Sequence, residues 1–197
     1  MKIHQLNNWD VDLQTAKKIQ LVFKDKIAIE PLKHPIQFIA GVDVSYSRKL
    51  NTCFSAITIY QYPEFVLTEQ QFSFLPANFP YVPGYLTFRE APVLLKAFEK
   101  LKTIPHLVLF DGQGIAHPRQ IGIASHVGLF LDLPTIGCAK SRLIGEFKMP
   151  GHEKGSQSAL IFDGKIIGKV VRTREHVRPV LFPRVLKLPS RSQLTGL

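Results

Sequence analysis

His106-Leu107-Val108-Leu109-Phe110-Asp111-Gly112-Gln113-Gly114 reads as a buried strand that ends on an acid. The apolar run supplies the strand, Asp111 stands where the strand must stop, and two glycines let the backbone turn tightly and approach a ligand. The chain continues through His117-Pro118-Arg119-Gln120 to Ser125-His126-Val127-Gly128. Pro118 suits the first position of a helix, and Ile121, Ala124, Ser125 and Gly128 give that helix a small-residue face able to pack closely on a sheet. In open α/β sheets ligands bind in the crevice outside the carboxyl ends of the strands, which is where Asp111 is placed. An Asp-Gly pair also makes an ordinary turn. Alone, the stretch leaves turn and site open, and the rest of the chain decides.

Upstream, Asn8-Trp9-Asp10 offers cap residues to an amphipathic helix expected over Asp10 to Lys26, stopped by Pro31 and Pro35. Phe38 to Tyr46 is a strand carrying Asp43 within an apolar run, a costly position for a carboxylate unless it is paired, hydrogen-bonded or bound to metal. Thr52 to Tyr60 and Phe65 to Phe74 alternate as two further strands, and their short connections suggest an antiparallel meander. A helix is expected from Phe88 to about Leu101. Downstream, Pro134 to Lys140 is a short strand ending on a lysine. Ala159 to Phe162 and Ile166 to Arg172 bracket Asp163-Gly164, a strong hairpin signal. The order of helix, three antiparallel strands, helix, strand, helix, strand and hairpin indicates an α/β fold with a mixed sheet flanked by helices.

The 197 residues, 45% of them hydrophobic, fit one domain with a sizeable core. No apolar run reaches the roughly 18 to 20 residues needed to cross a bilayer, and the amino terminus has no secretory pattern, so a cytoplasmic location is expected. Cys53 and Cys138 stand apart in apolar surroundings, as reduced fillers without zinc-like spacing. The net charge of +10 attracts polyanions, which makes nucleic acid the leading partner class.

Three acids fall at the ends of elements: Asp43, Glu90 and Asp111. If the strands carrying Asp43 and Asp111 are neighbours, the two carboxylates repel unless a cation or proton intervenes. Oxygen-only ligands suit Mg²⁺, with Mn²⁺ able to substitute, and Lys140 is placed to orient a nucleophile or offset transition-state charge. Each has an ordinary alternative: Glu90 as a favourable acid at a helix start, Lys140 as a solvated strand end, Asp43 bonded to nearby amides. Together they favour metal-dependent phosphodiester chemistry. His117 and Arg119 are candidate phosphate contacts, although a structural role is the commoner one for such a histidine; His126 reads as buried. The loop Pro80-Tyr81-Val82-Pro83 holds Tyr81 between prolines in an extended shape, as a rigid aromatic wedge that can enter a base step. Its ordinary alternative is a plain surface loop.

These motifs together resemble the endonuclease V family. The resemblance rests on Gly41-Val42-Asp43-Val44-Ser45-Tyr46, on Pro80-Tyr81-Val82-Pro83-Gly84 with Phe88-Arg89-Glu90, on Asp111-Gly112-Gln113-Gly114 with His117-Pro118-Arg119 and Gly122 to Gly128, and on Pro134 to Ser141. It implies a ribonuclease H-like fold and Mg²⁺-dependent hydrolysis of the second phosphodiester bond 3′ to hypoxanthine turned out of the stack, in the repair of DNA containing deoxyinosine. Inosine-containing RNA is a second candidate substrate. By motif position it implies Asp43 and Asp111 as metal ligands, Glu90 as a further acid, Lys140 as catalytic support, Tyr81 as the wedge, and Gly84, Gly112 and Leu143 as parts of the base pocket. The chain departs from the family pattern after Val180. The closing helix that the resemblance implies is expected to be missing, with residues 1–180 forming the domain and 181–197 a divergent basic tail. A missing helix would uncover apolar sheet surface unless a partner covers it, and otherwise a monomer is expected.

Overall fold

The structure is a computed structural model that describes residues 1–29, 32 and 35–183. A five-stranded mixed sheet of order β3-β2-β1-β4-β5 organises it, with β1 at Phe38–Ser47, β2 at Thr52–Gln61, β3 at Val66–Pro76, β4 at Leu107–Phe110 and β5 at Thr135–Gly137. Strands β1 to β3 form the expected meander, and β4 runs parallel to both β1 and β5. Helix α2 (Leu86–Glu99) crosses from β3 to β4, and α3 (Ile123–Leu131) from β4 to β5.

Pleating decides which face of the sheet is buried. Ala40 and Val42 of β1, with Ile57 and Ile59 of β2, join Leu94, Phe98, Phe110, Val127 and Phe130 in the main core. Ser55 is buried on this face and donates to the Val93 carbonyl of α2 at 2.9 Å. Asp43 has the opposite parity. The carboxylate expected inside an apolar run therefore stands on the solvent side of the pleat, its Oδ1 accepting the Val44 N–H at 2.8 Å. Phe54, Phe72 and Phe74 are exposed on that same side, further along β2 and β3.

Helix α1 (Leu13–Lys24) starts later than expected, because Asp12 caps it by accepting the Thr15 N–H at 2.7 Å. Asn8 instead bonds the Asp10 N–H ahead of the helix, and Trp9 packs against Phe88, Phe130 and His126. Helix α3 also starts later. Pro118 sits in a turn, Gln120 takes a left-handed φ of 56°, and Gly122 caps α3 while its N–H bonds the Gly114 carbonyl at 2.8 Å. Helix α3 is buried throughout and apolar except for Ser125 and His126. Its small-residue face packs as expected: a Cβ on Gly128 would lie 2.8 Å from Thr135 Oγ1, whose hydroxyl donates to the Ala124 carbonyl.

A three-stranded antiparallel sheet follows, of β6 (Gln157–Phe162), β7 (Lys165–Val171) and β8 (Val180–Pro183). Asp163 and Gly164 both have positive φ, 50° and 69°, the requirement of a two-residue type I′ turn. Strand β8 crosses the boundary expected at residue 180. Its Leu181 exchanges two backbone hydrogen bonds with Ala139, tying this sheet to the segment after β5, and a small core around Leu160, Val170 and Leu181 fills the join. The expected basic tail, beyond Pro183, and the question of a closing helix lie outside the described residues. Among those residues, no helix is long and apolar enough to cross a membrane.

Candidate active site

Parallel pairing of β1 and β4 ends with Val42 opposite Phe110, so Asp111 follows the last residue of β4, while Asp43, expected at the end of an element, lies within β1, which runs on to Ser47 paired with β2. The Asp111 N–H still reaches the Val42 carbonyl at 3.4 Å. Glu90, in the second turn of α2, feels both acids: burial first, then the charges of Asp43 and Asp111, push its carboxyl up to about 7. Lys140 lies three residues past β5, later than the strand end expected for it, because β5 stops at Gly137. Its ammonium is 2.5 Å from Asp111 Oδ2, and that bond with the charges of both aspartates raises its pKa. The four residues expected to carry chemistry thus meet at one end of the sheet.

Among the described residues, no three Asp, Glu, His or Cys side chains converge closely enough to form a metal cage by themselves. The donor set nonetheless fits Mg²⁺, which dehydrates reluctantly and is usually held by one or two carboxylates, with waters and phosphate oxygens filling the remaining positions. Mutual repulsion between the acids, expressed at Glu90, points the same way. The exposed His152 and His176 lie outside this group.

A cavity of about 320 Å³ opens beside Asp111. Tyr81, Val82, Pro83 and Gly84 form one wall, Asp111, Gly112 and Gln113 the floor, and Ala139, Lys140, Ser141 and Leu143 the far side, with Ile123 of α3 at the back. The pocket residues and three of the four wedge residues expected from the sequence therefore line the same space as Asp111 and Lys140, while Pro80 faces a separate hollow with Val11 and Phe79. Tyr81 is 69% exposed at the rim, the state a wedge requires before it meets a partner. Gly84 has φ +81°, and a Cβ there would lie 2.8 Å from Arg119 Nη2; a Cβ on Gly112 would lie 2.7 Å from Ile123 Cγ2. Both glycines are held to their identity by space as well as by backbone shape.

His117 and Arg119, candidate phosphate contacts on sequence grounds, direct donors into the protein. His117 is 4% exposed. Its Nδ1 accepts the Arg119 N–H at 3.2 Å, which leaves the proton on Nε2, and Nε2 donates to the Gly84 carbonyl at 3.0 Å. Burial and the Arg119 charge push its pKa down to about 4, so at neutral pH it carries no charge to offer a phosphate. Arg119 Nη2 donates to the same carbonyl at 2.6 Å, and the guanidinium lies over the Tyr85 ring at 4.2 Å.

Sequence reasoning missed two further residues. Gln20 of α1 is fully buried and bonds both Gly84 and Arg119. A glutamine on the core face of an amphipathic helix was the available signal. Gln113 donates through Nε2 to the Ser141 carbonyl at 2.9 Å, joining the floor of the cavity to its far side, and its buried Oε1 has no partner among the described residues.

The comparisons with known proteins agree with this geometry. The family model described as endonuclease V matches residues 21–183. The endonuclease V of Nostoc punctiforme is 43% identical over 181 residues, covering 91% of this chain and 82% of the relative. The crystal structure of endonuclease V from Bacillus subtilis superposes with a TM-score of 0.87 at 33% identity, covering 93% of this chain and 81% of that one. Endonuclease V of Ciona intestinalis, solved in complex with a 24-mer DNA containing an inosine followed by a ribo-adenosine, gives a TM-score of 0.75 at 25% identity, covering 88% and 83%. Motif order, the neighbouring acids beside β1 and β4 and the ribonuclease H-like mixed sheet all lead to one assignment: the chain belongs to the endonuclease V family.

Proposed function

We propose that this protein is a divalent-metal-dependent endonuclease of DNA repair. It takes a deaminated adenine, hypoxanthine in deoxyinosine, out of the stack and hydrolyses the second phosphodiester bond 3′ to it, in the cytoplasm. One observation carries the reading: Asp111 and Lys140 line the same cavity as Tyr81, Gly84, Gly112 and Leu143, so base recognition and phosphodiester chemistry share a boundary. The inosine in the DNA bound by the Ciona relative supports the choice of base.

Asp43 and Asp111 would hold the ion, Mg²⁺ or Mn²⁺. When bound, it lowers the pKa of water and stabilises the leaving oxygen. The protein's own residues do the rest. Tyr81, stiffened by Pro80 and Pro83, stacks where the base has left. The cavity takes the base between apolar walls and excludes water, and backbone groups at Gly84 and Gly112 come close enough to read its edge. Lys140 offsets charge beside Asp111, and Glu90, whose carboxyl is pushed up by burial and by the two aspartates when no ion neutralises them, can hold or release a proton.

The rival is a protein that binds inosine without cutting, favoured by the lack of a third close metal ligand among the described residues. The ribo-adenosine after the inosine in the Ciona complex makes RNA a second substrate to test. End-labelled oligonucleotides with one inosine, as DNA and as RNA, incubated with Mg²⁺, Mn²⁺ or EDTA, separate these. Metal-dependent cutting supports the enzyme; inosine-selective binding without cutting supports the rival.

A further inference from the structure

Three donors from distant parts of the chain converge on one carbonyl oxygen, that of Gly84. Gln20 Nε2 lies at 3.0 Å, His117 Nε2 at 3.0 Å and Arg119 Nη2 at 2.6 Å. Arg119 Nε closes the network by donating to Gln20 Oε1 at 2.6 Å. A carbonyl oxygen has two lone pairs, so it is more than fully committed. Gly84 is where the wedge loop becomes the pocket wall, three residues after Tyr81.

Gln20 is the least expected member. It sits on the core face of α1 between Ala16 and Phe23, a position where an apolar side chain would avoid the cost of burying an amide. Both of its polar atoms are used, and both uses fix the wedge loop or its clamp. Helix α1 supplies a rigid origin, since Ala16 packs with Phe79 and Phe88, and Phe23 against His126 and Phe130.

Resting on the function proposed above, we infer that Gln20 is a positioning residue for base recognition. Through Gly84 and Arg119 it sets how far the wedge loop stands from the cavity floor, and so the fit of the unstacked base. It touches no reacting atom and leaves hydrolysis alone.

The test is Gln20→Leu, which keeps the volume and removes both hydrogen bonds, assayed beside the parent on inosine DNA with Mg²⁺. KM for the inosine strand rises about tenfold, the scale of one buried hydrogen bond, while kcat at saturating DNA stays within about twofold. A 2-aminopurine next to the inosine shows less unstacking at equal occupancy, a change that general destabilisation of a still-folded protein does not give. Gln20→Glu keeps the Arg119 contact but cannot donate to Gly84, so it shows the same split and serves if the leucine variant does not fold. Parent-like KM and 2-aminopurine signal in a folded variant overturn the inference. A parent without any preference for inosine overturns the function reading itself, a distinguishable failure.

Discussion

Lowering the pH from 8 to 5 should weaken the fold through His126, and the size of the effect can be worked from its surroundings. The imidazole is fully buried among the rings of Trp9, Phe23, Phe88 and Phe130. Its Nε2 faces Asn7 Oδ1 at 3.3 Å, and its Nδ1 has no partner among the described residues, so nothing there would receive a second proton. Burial pushes its pKa down to about 3, against about 6.5 in the unfolded chain. The unfolded state therefore binds a proton that the fold refuses. This contribution is complete above the unfolded value and is lost as pH falls toward the folded one. At pH 5, about 1.5 pH units into that window, the loss is about 2 kcal/mol, a substantial part of a typical domain's 5–15 kcal/mol. Glu90, held protonated in the fold near neutrality, works in the opposite direction, so the parent curve alone is ambiguous. His126→Phe isolates the effect, because phenylalanine fits the aromatic cage and binds no proton. Urea unfolding of both proteins with EDTA at pH 8, 7, 6 and 5 should show the variant gaining about 2 kcal/mol on the parent across the series. A constant difference, or an imidazole resonance titrating near its ordinary value, would refute the reasoning.

Three further outcomes follow from the site. Asp111→Ala should reduce cutting by about a thousandfold or more while gel-shift affinity for inosine DNA in EDTA holds; parental cutting by this variant would end the metal assignment. Tyr81→Ala should weaken inosine-DNA binding by about tenfold to a hundredfold, since base–aromatic stacking is worth about 1–3 kcal/mol, and unchanged affinity would remove the wedge role. Gly84→Ala places a side chain at φ +81°, 2.8 Å from Arg119 Nη2. It should cost about 1–3 kcal/mol in thermal or urea unfolding and impair inosine selectivity; an unperturbed variant would show the clamp to be slack.

The parts of the fold that follow local rules could be read from the chain. An apolar run marked β1, alternation marked β2 and β3, the Asp163-Gly164 pair marked the hairpin, and small residues marked the packing face of α3. Element ends were harder, because tertiary bonds decide them. Asp12 captured the cap of α1 from Asn8 and Asp10, and the return of Gly122 to Gly114 delayed α3 beyond Pro118. Asp43 and Asp111 could be suspected as neighbours, but only the β1–β4 register puts them there, across 68 residues of chain. Gln20 carried the weakest signal: its partners, Gly84 and Arg119, are 64 and 99 residues away, and nothing local announces them. His117 illustrates the same limit, since the sequence offered phosphate beside the commoner structural role and only its partner in space, a carbonyl, identifies what that structural role is.

On the proposed function, an ion held at Asp43 and Asp111 supports cutting of a strand whose inosine sits in the adjoining cavity. The most direct measurement compares one end-labelled duplex carrying a single deoxyinosine with its deoxyadenosine counterpart, under Mg²⁺ and under EDTA. A single nick is expected at the second phosphodiester bond 3′ to the inosine, present with Mg²⁺, absent with EDTA and absent from the deoxyadenosine duplex. Cutting that ignores the inosine, or that persists in EDTA, would contradict it.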